Sequence, residues 1–254
     1  MSDSKFQLGQ APIIEAVLDI DCDLPVTVNR DELEKAARAA LHGRYPHFKQ
    51  QFIQTHLVTS NGEEPPQMKT NEVRGAMQFF TEDRKQLVQF RPNGFSFNRL
   101  APYTTLDDYL PDIEAAWHLF EELAHPVQIR KVGLRMINRM LLPMEDGQIN
   151  FSEFLQVSPR LPATGLRLMF SGFLDQHLAV DMDTKNQVNI VKTTEMLEGD
   201  KLPMILDIEA FHESHEAPPA WPELLERIQS LRNLKNRVFQ HTLTPRCLNL
   251  FSSA

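Results

Sequence analysis

Apolar and polar positions alternate with a period of two through residues 12–22, PIIEAVLDIDC, which predicts a β-strand. Ile14, Ala16, Leu18, Ile20 and Cys22 share one face of it, and Glu15, Asp19 and Asp21 share the other. The sharpest pattern follows in residues 87–103, LVQFRPNGFSFNRLAPY, which reads as a β-hairpin. Asn93-Gly94 can adopt the positive φ angles of a two-residue type I′ turn, so the expected register sets Pro92 against Phe95, Arg91 against Ser96 and Phe90 against Phe97. Val88, Phe90, Pro92, Phe95 and Phe97 then share an apolar face, with Gln89, Arg91, Ser96 and Asn98 opposite. Further strands are predicted at 48–60, 75–81 and 127–142, the last with Val132, Leu134 and Met136 on one face and Lys131, Gly133, Arg135, Ile137 and Arg139 on the other.

A helical period takes over in two long segments. Tyr109, Leu110, Ile113, Ala116, Trp117, Phe120 and Leu123 recur at three- and four-residue steps, which predicts a helix over 106–124 started by Thr104 or Thr105 and ended by Pro126. Leu224, Leu225, Ile228, Leu231, Leu234 and Val238 predict another over 221–241. A shorter helix over 31–41 has Asn29 as N-cap and Gly43 as stop, and 151–155 forms a single helical turn. Strands are expected at 166–174, 177–182, 187–194 and 204–212, and loops at 61–66 and 213–220. Strands followed by a packing helix thus occur twice. The fold class is α+β, curved antiparallel sheet with packing helices, divided as lobes 1–145 and 163–254 joined by 146–162, or else built as one continuous sheet.

Composition narrows the class. The chain has 254 residues, 42% of them hydrophobic, enough for a substantial core. No apolar run spans a bilayer and the start MSDSKFQLGQ lacks a signal-peptide pattern, so a cytoplasmic protein with no membrane partner is expected. Cys22 and Cys247 read as small buried hydrophobes. Net charge is −8, which argues against indiscriminate nucleic-acid binding, but the charges are segregated along the chain. Residues 84–104, 128–140 and 227–254 carry thirteen Lys and Arg and no acid, so a local positive surface is conceivable despite the acidic total.

Candidate chemistry follows from those clusters. Arg91, Arg99, Arg135 and Arg139, with Asn98 and Asn138, have the forked and neutral donors that suit phosphate or carboxylate. The competing reading pairs the arginines with Glu15, Asp19, Asp21, Asp207 and Glu209 in an ionic network across a sheet face. The same acids could hold Mg²⁺ or Mn²⁺ for a phosphohydrolase, although the alternating Glu-x-Glu-x-Lys strand of triphosphate tunnel enzymes is missing. His212-x-x-His215, flanked by Glu213 and Glu216, has ligand residue types without the further partners that zinc requires, and a solvated loop accounts for it better. Arg232, Lys235, Asn236 and Arg237 should project from the polar side of the last helix. There is no Gly-rich phosphate loop, GxSxG elbow or Cys/His nucleophile pattern, and no cofactor is expected.

The strings APIIEAVLDI at 11–20, Arg44-Tyr45-Pro46, FRPNGFSFNRLAPY at 90–103, VGLRMINRM at 132–140, SLRNLKNRVF at 230–239 and HTLT at 241–244 together resemble a sporadically distributed bacterial family of about this length with no established activity. That resemblance implies no substrate, cofactor or catalytic residue. Its sporadic occurrence implies an accessory role of the immunity or defence kind. The function expected is therefore a non-enzymatic interaction protein with a protein partner, the alternative being a protein that binds an anionic small molecule, nucleotide or nucleic acid on a basic sheet face.

Overall fold

In the computed structural model, residues 8–59, 67–162, 168 and 170–252 are described. The elements run β1 (Ile13–Asp23), α1 (Arg30–Leu41), β2 (His47–Thr59), β3 (Gln67–Phe80), β4 (Gln86–Arg91), β5 (Gly94–Leu100), α2 (Leu106–Ala124), β6 (Gln128–Pro143), β7 (Leu174–Val180), β8 (Gln187–Thr194), β9 (Lys201–Glu216), α3 (Trp221–Thr242) and α4 (Pro245–Asn249). All nine strands join one antiparallel sheet in the order β2-β3-β4-β5-β1-β6-β9-β8-β7, so the fold is α+β. β1 occupies the centre, paired to β5 on one side and β6 on the other. The ladder between β6 and β9 crosses the 146–162 segment, so strands from both halves of the sequence belong to one sheet. No helix among the described residues is long and apolar enough to cross a membrane.

The helices cover one face of the sheet. α2 starts with a reciprocal capping box, in which Asp108 N–H donates to Thr105 Oγ1 at 3.3 Å and Thr105 N–H donates to Asp108 Oδ2 at 3.2 Å. It then lays Trp117 and Phe120 on the apolar side of the β4–β5 hairpin, with ring centroids 5.6 Å apart for Phe95–Trp117 and 5.0 Å for Phe90–Phe120. Each of these rings is fully buried, worth roughly 1.5–3 kcal/mol relative to exposure. α3 buries Leu224, Ile228 and Leu231 over β6 and β9, against Leu206 and Ile208. Cys22 and Cys247 are buried free thiols, and burial pushes both up to about 12, which leaves them unreactive.

Several boundaries differ from the expectation. β3 begins at Gln67, well before 75, and β9 continues to Glu216, so the His212/His215 pair lies in a strand and not in a loop. The short helix α4 was not anticipated, and β7 begins at Leu174, ahead of the strand expected at 177–182. Phe170 and the residues up to Phe173 are not in a strand, and the rest of the strand expected at 166–174, like the loop at 61–66, lies mostly or wholly outside the described residues.

The hairpin holds the most informative correction. Its register is Phe90 against Phe95 and Val88 against Phe97, a slip of two residues from the type I′ arrangement. The turn residues are Pro92 and Asn93, and Asn93 does not have the positive φ that type I′ demands. Proline fixes φ near −65°, which suits the first turn position and forbids a mirror-image turn there. Because the slip is even, every side chain keeps its expected face. Gly94 takes the positive φ instead, at +146°, and closes the turn against β1. A Cβ at Gly94 would be driven into the Ile20 carbonyl oxygen and would lie 3.1 Å from Arg91 Nη2. Gly94→Ala is therefore expected to destabilise the fold by about 2–4 kcal/mol, read as a lowered urea midpoint, whereas Asn93→Ala should cost less than about 1 kcal/mol.

Candidate functional site

The odd-numbered positions of β1 and β6 meet on the face of the sheet away from the helices, where Arg91, Arg135 and Arg139 lie, whereas Arg99, level with Ala16, falls on the helix-covered face. Arg91 on β4 reaches across β5 to β1, its Nη2 ion-paired with Asp19 at 2.8 Å and donating a hydrogen bond to Asp21 at 2.9 Å. The row Arg91, Gly94, Asp21 explains the reach, since the intervening strand offers glycine and Ser96 where larger side chains would block the guanidinium. One row over, Gln78 donates to Gln89, Gln89 to Asn98 and Asn98 to Glu15, at 2.9, 3.0 and 2.8 Å. This directed chain of amides crosses four strands and ends on a carboxylate.

The remaining candidates are engaged as well. Arg135 binds Asp207 through Nε and Nη2, the shortest contact 2.5 Å, and Lys131 meets Glu209 at 2.5 Å while lying over the Phe211 ring. Arg139 pairs with Glu195 at 2.7 Å and with Glu198. Arg99 has no carboxylate among the described residues and lies over the Tyr109 ring, 5.3 Å from its centroid. Asn138 is on the opposite, helix-covered face, 2% exposed, donating to the Met136 and Leu206 carbonyls at 3.2 and 2.9 Å. The structure thus brings Arg91, Asn98 and Arg135 onto one face with their acids and sends Asn138 to the core. The acids Glu15, Asp19, Asp21, Asp207 and Glu209 are held by these cations and amides, and no group of three or more metal-ligating side chains occurs among the described residues. His212 Nδ1 sits 3.1 Å from Asn186 Oδ1.

Charges separated along the chain are therefore interleaved in space. The acid-free C-terminal run sends Arg227 to Glu216, Arg232 to Asp107, Arg237 to Asp181 and Arg246 to Glu145. Lys235 is the exception. It was expected on the polar side of its helix, yet it is 9% exposed and has no hydrogen-bond or ion-pair partner among the described residues. Burial, with Arg232 nearby, pulls its ammonium down to about 8. It lines a cavity of about 290 Å³ between the start of α2, the middle of α3 and the adjoining ends of β1 and β6. Only the i, i+4 relation to Leu231 and Phe239, both on the buried stripe, could have marked Lys235 in the sequence.

No family model matches the chain, and no curated protein matches it.

The ionic lattice makes a signed prediction. Burial raises Asp19 from its ordinary range to about 6, against the lowering effect of Arg91. An acid raised on folding penalises the folded state above its folded pKa, and the penalty lifts as pH falls towards the unfolded value. Wild type should gain stability between pH 6 and 4 from this group, and Asp19→Asn, neutral throughout, should lack that gain and match or exceed wild type at pH 8. Arg91→Ala, which strands two half-buried carboxylates, is expected to cost roughly 2–4 kcal/mol at pH 7. Denaturant titrations across pH check both.

Proposed function

We propose that the protein is a non-enzymatic accessory protein that binds a protein partner, and that the partner docks at β7 by adding an extended segment to the sheet. The observation that carries this reading is the character of that edge. β7 is the last strand of the sheet among the described residues, and it contains neither lysine nor proline, the residues that commonly blunt an exposed edge. Leu174, Leu178 and Val180 recur at even spacing on its open face and are 72%, 67% and 51% exposed, with Met182 exposed just beyond. An edge of this kind presents unpaired backbone donors and acceptors together with side chains at alternate positions, which is the basis of recognition by strand addition. The fitting partner segment is extended and apolar at every second residue.

The other edge supports the choice by contrast. On β2 the exposed Phe52 and Ile53 are consecutive, so they point to opposite faces and form no stripe. The alternative function, an anion or nucleotide site on the basic sheet face, draws less support because Arg91, Arg135 and Arg139 already hold carboxylates. The accessory role implied by the family resemblance agrees with a partner-binding surface.

Affinity capture from the native host, with cross-links mapped on the captured complex, tests the proposal. A single stoichiometric partner cross-linked to β7 is expected with wild type and is lost with Leu178→Lys, a surface change worth less than about 0.5 kcal/mol in stability. The proposal is overturned if the partner survives Leu178→Lys and cross-links elsewhere, if no stoichiometric partner is captured, or if β7 instead joins two copies of this chain in solution.

A further inference from the structure

The cavity beside α3 is separate from β7, and it holds a lysine in surroundings that disfavour an ammonium ion. Lys235 is 9% exposed, has no hydrogen-bond or ion-pair partner among the described residues, and lines the cavity. Arg232 stands three residues earlier on α3, a spacing that puts both cations on one side of the helix. An unpaired ammonium taken out of water beside a second cation is unfavourable, and a lysine relieves this by giving up its proton. With its ammonium brought down to about 8 by burial and Arg232, about one quarter of Lys235 is neutral at pH 7.5, against roughly one part in a thousand for an ordinary exposed lysine. The neutral amine carries a lone pair and is a nucleophile. Met136, Leu106 and Ile13 give the cavity an apolar wall, and the exposed Thr104 and Asp108 also line it, so it opens to solvent at the start of α2.

The geometry points to a covalent binding site in which Lys235 forms an imine with a small apolar aldehyde whose body lies against Met136 and Leu106. The amine nitrogen attacks the carbonyl carbon to give a carbinolamine, which then loses water. A C=N bond replaces the C=O bond, and the carbonyl oxygen leaves with both hydrogens of the amine. Amine plus aldehyde gives imine plus water, so the step needs no oxidant, reductant or further reactant. An aldehyde is uncharged, so it adds no ion to a cavity already lined by two cations, Arg232 and Lys235, and two carboxylates, Asp107 and Asp108. The volume of about 290 Å³ is at the small end of ligand pockets and suits a reactant of metabolite size. The imine is a reversible link, a mode of binding and not of turnover. It does not depend on the β7 edge, and either can fail without the other.

Benzaldehyde and hexanal are the probes, with benzyl alcohol as the comparator that lacks a carbonyl. The full chain is incubated with each at pH 7.5 in the presence of sodium cyanoborohydride, which fixes an imine as a stable secondary amine, and the adducts are mapped by peptide mass spectrometry. Among the ten lysines of the chain, Lys235 is expected to be the main site, with at least about tenfold the occupancy of any exposed lysine, and benzyl alcohol is expected to give no adduct. The preference belongs to the fold, so it should vanish in guanidinium chloride. Occupancy at Lys235 should rise with pH and reach half its maximum near pH 8; Arg232 on α3 and Tyr103, Asp107 and Asp108 around the start of α2 are the other ionisable groups lining the cavity, and β1 and β6 contribute none. Lys235→Met removes a buried unpaired charge, so it should fold at least as stably as wild type and leave only weak labelling spread over the exposed lysines. The inference is overturned if an exposed lysine is trapped as fully as Lys235, if the unfolded chain keeps the same preference, or if the half-maximum lies near the ordinary lysine value of about 10. These three readings use the wild-type chain and decide the matter even if Lys235→Met fails to fold.

Discussion

The two-residue period of β1 is the constraint from which the rest of the structure follows. β1 is flanked on both sides, by β5 and β6, so each of its positions is committed to one face by two neighbours at once. The even positions Ala16, Leu18, Ile20 and Cys22 enter the core under the helices, and the odd positions Glu15, Asp19 and Asp21 enter the ionic lattice opposite. A one-residue slip would exchange the two sets, placing three carboxylates in the core and four apolar groups among the arginines. The lattice and the core are therefore two readings of one register.

Pattern and period carried most of the architecture into view. Both long helices, the face assignment of the hairpin and the apolar face of β6 were legible because burial selects side chains at the period of each element. The hairpin turn was misread because Asn-Gly is a strong local signal, and Pro92 overrides it by fixing its own φ. Salt bridges were legible as a set of acids and bases but not as pairs, because Arg91 reaches its acids across an intervening strand at Gly94 and Ser96. Asn138 and Lys235 escaped for a common reason. Each is a polar residue on a buried stripe, and composition-based reasoning assigns such residues to solvent.

The segregation of charge along the chain has a spatial meaning. An acid-free run in β6 lies beside acidic positions of β1 and β9, and the acid-free half of α3 reaches carboxylates on the start of α2 and the β7–β8 turn. Half-buried pairs of this kind contribute modestly to net stability, since desolvation offsets much of the attraction. Their larger effect is on register, because a wrong pairing would set like charges together. Among the described residues Lys235 is a buried cation without an ion-pair partner, and it lines the pocket beside α3.

The central place of β1 also governs how the chain reaches this structure. β1 precedes both of its neighbours in the chain, which follow only after α1 and the β2–β4 hairpins and, for β6, after α2 as well. Until they arrive, β1 has two unpaired sides and an amphipathic sequence, the state most open to mispairing. Local pairing makes the β3–β4–β5 meander the cheaper part of the sheet to close, whereas the two ladders of β1 close the longer loops.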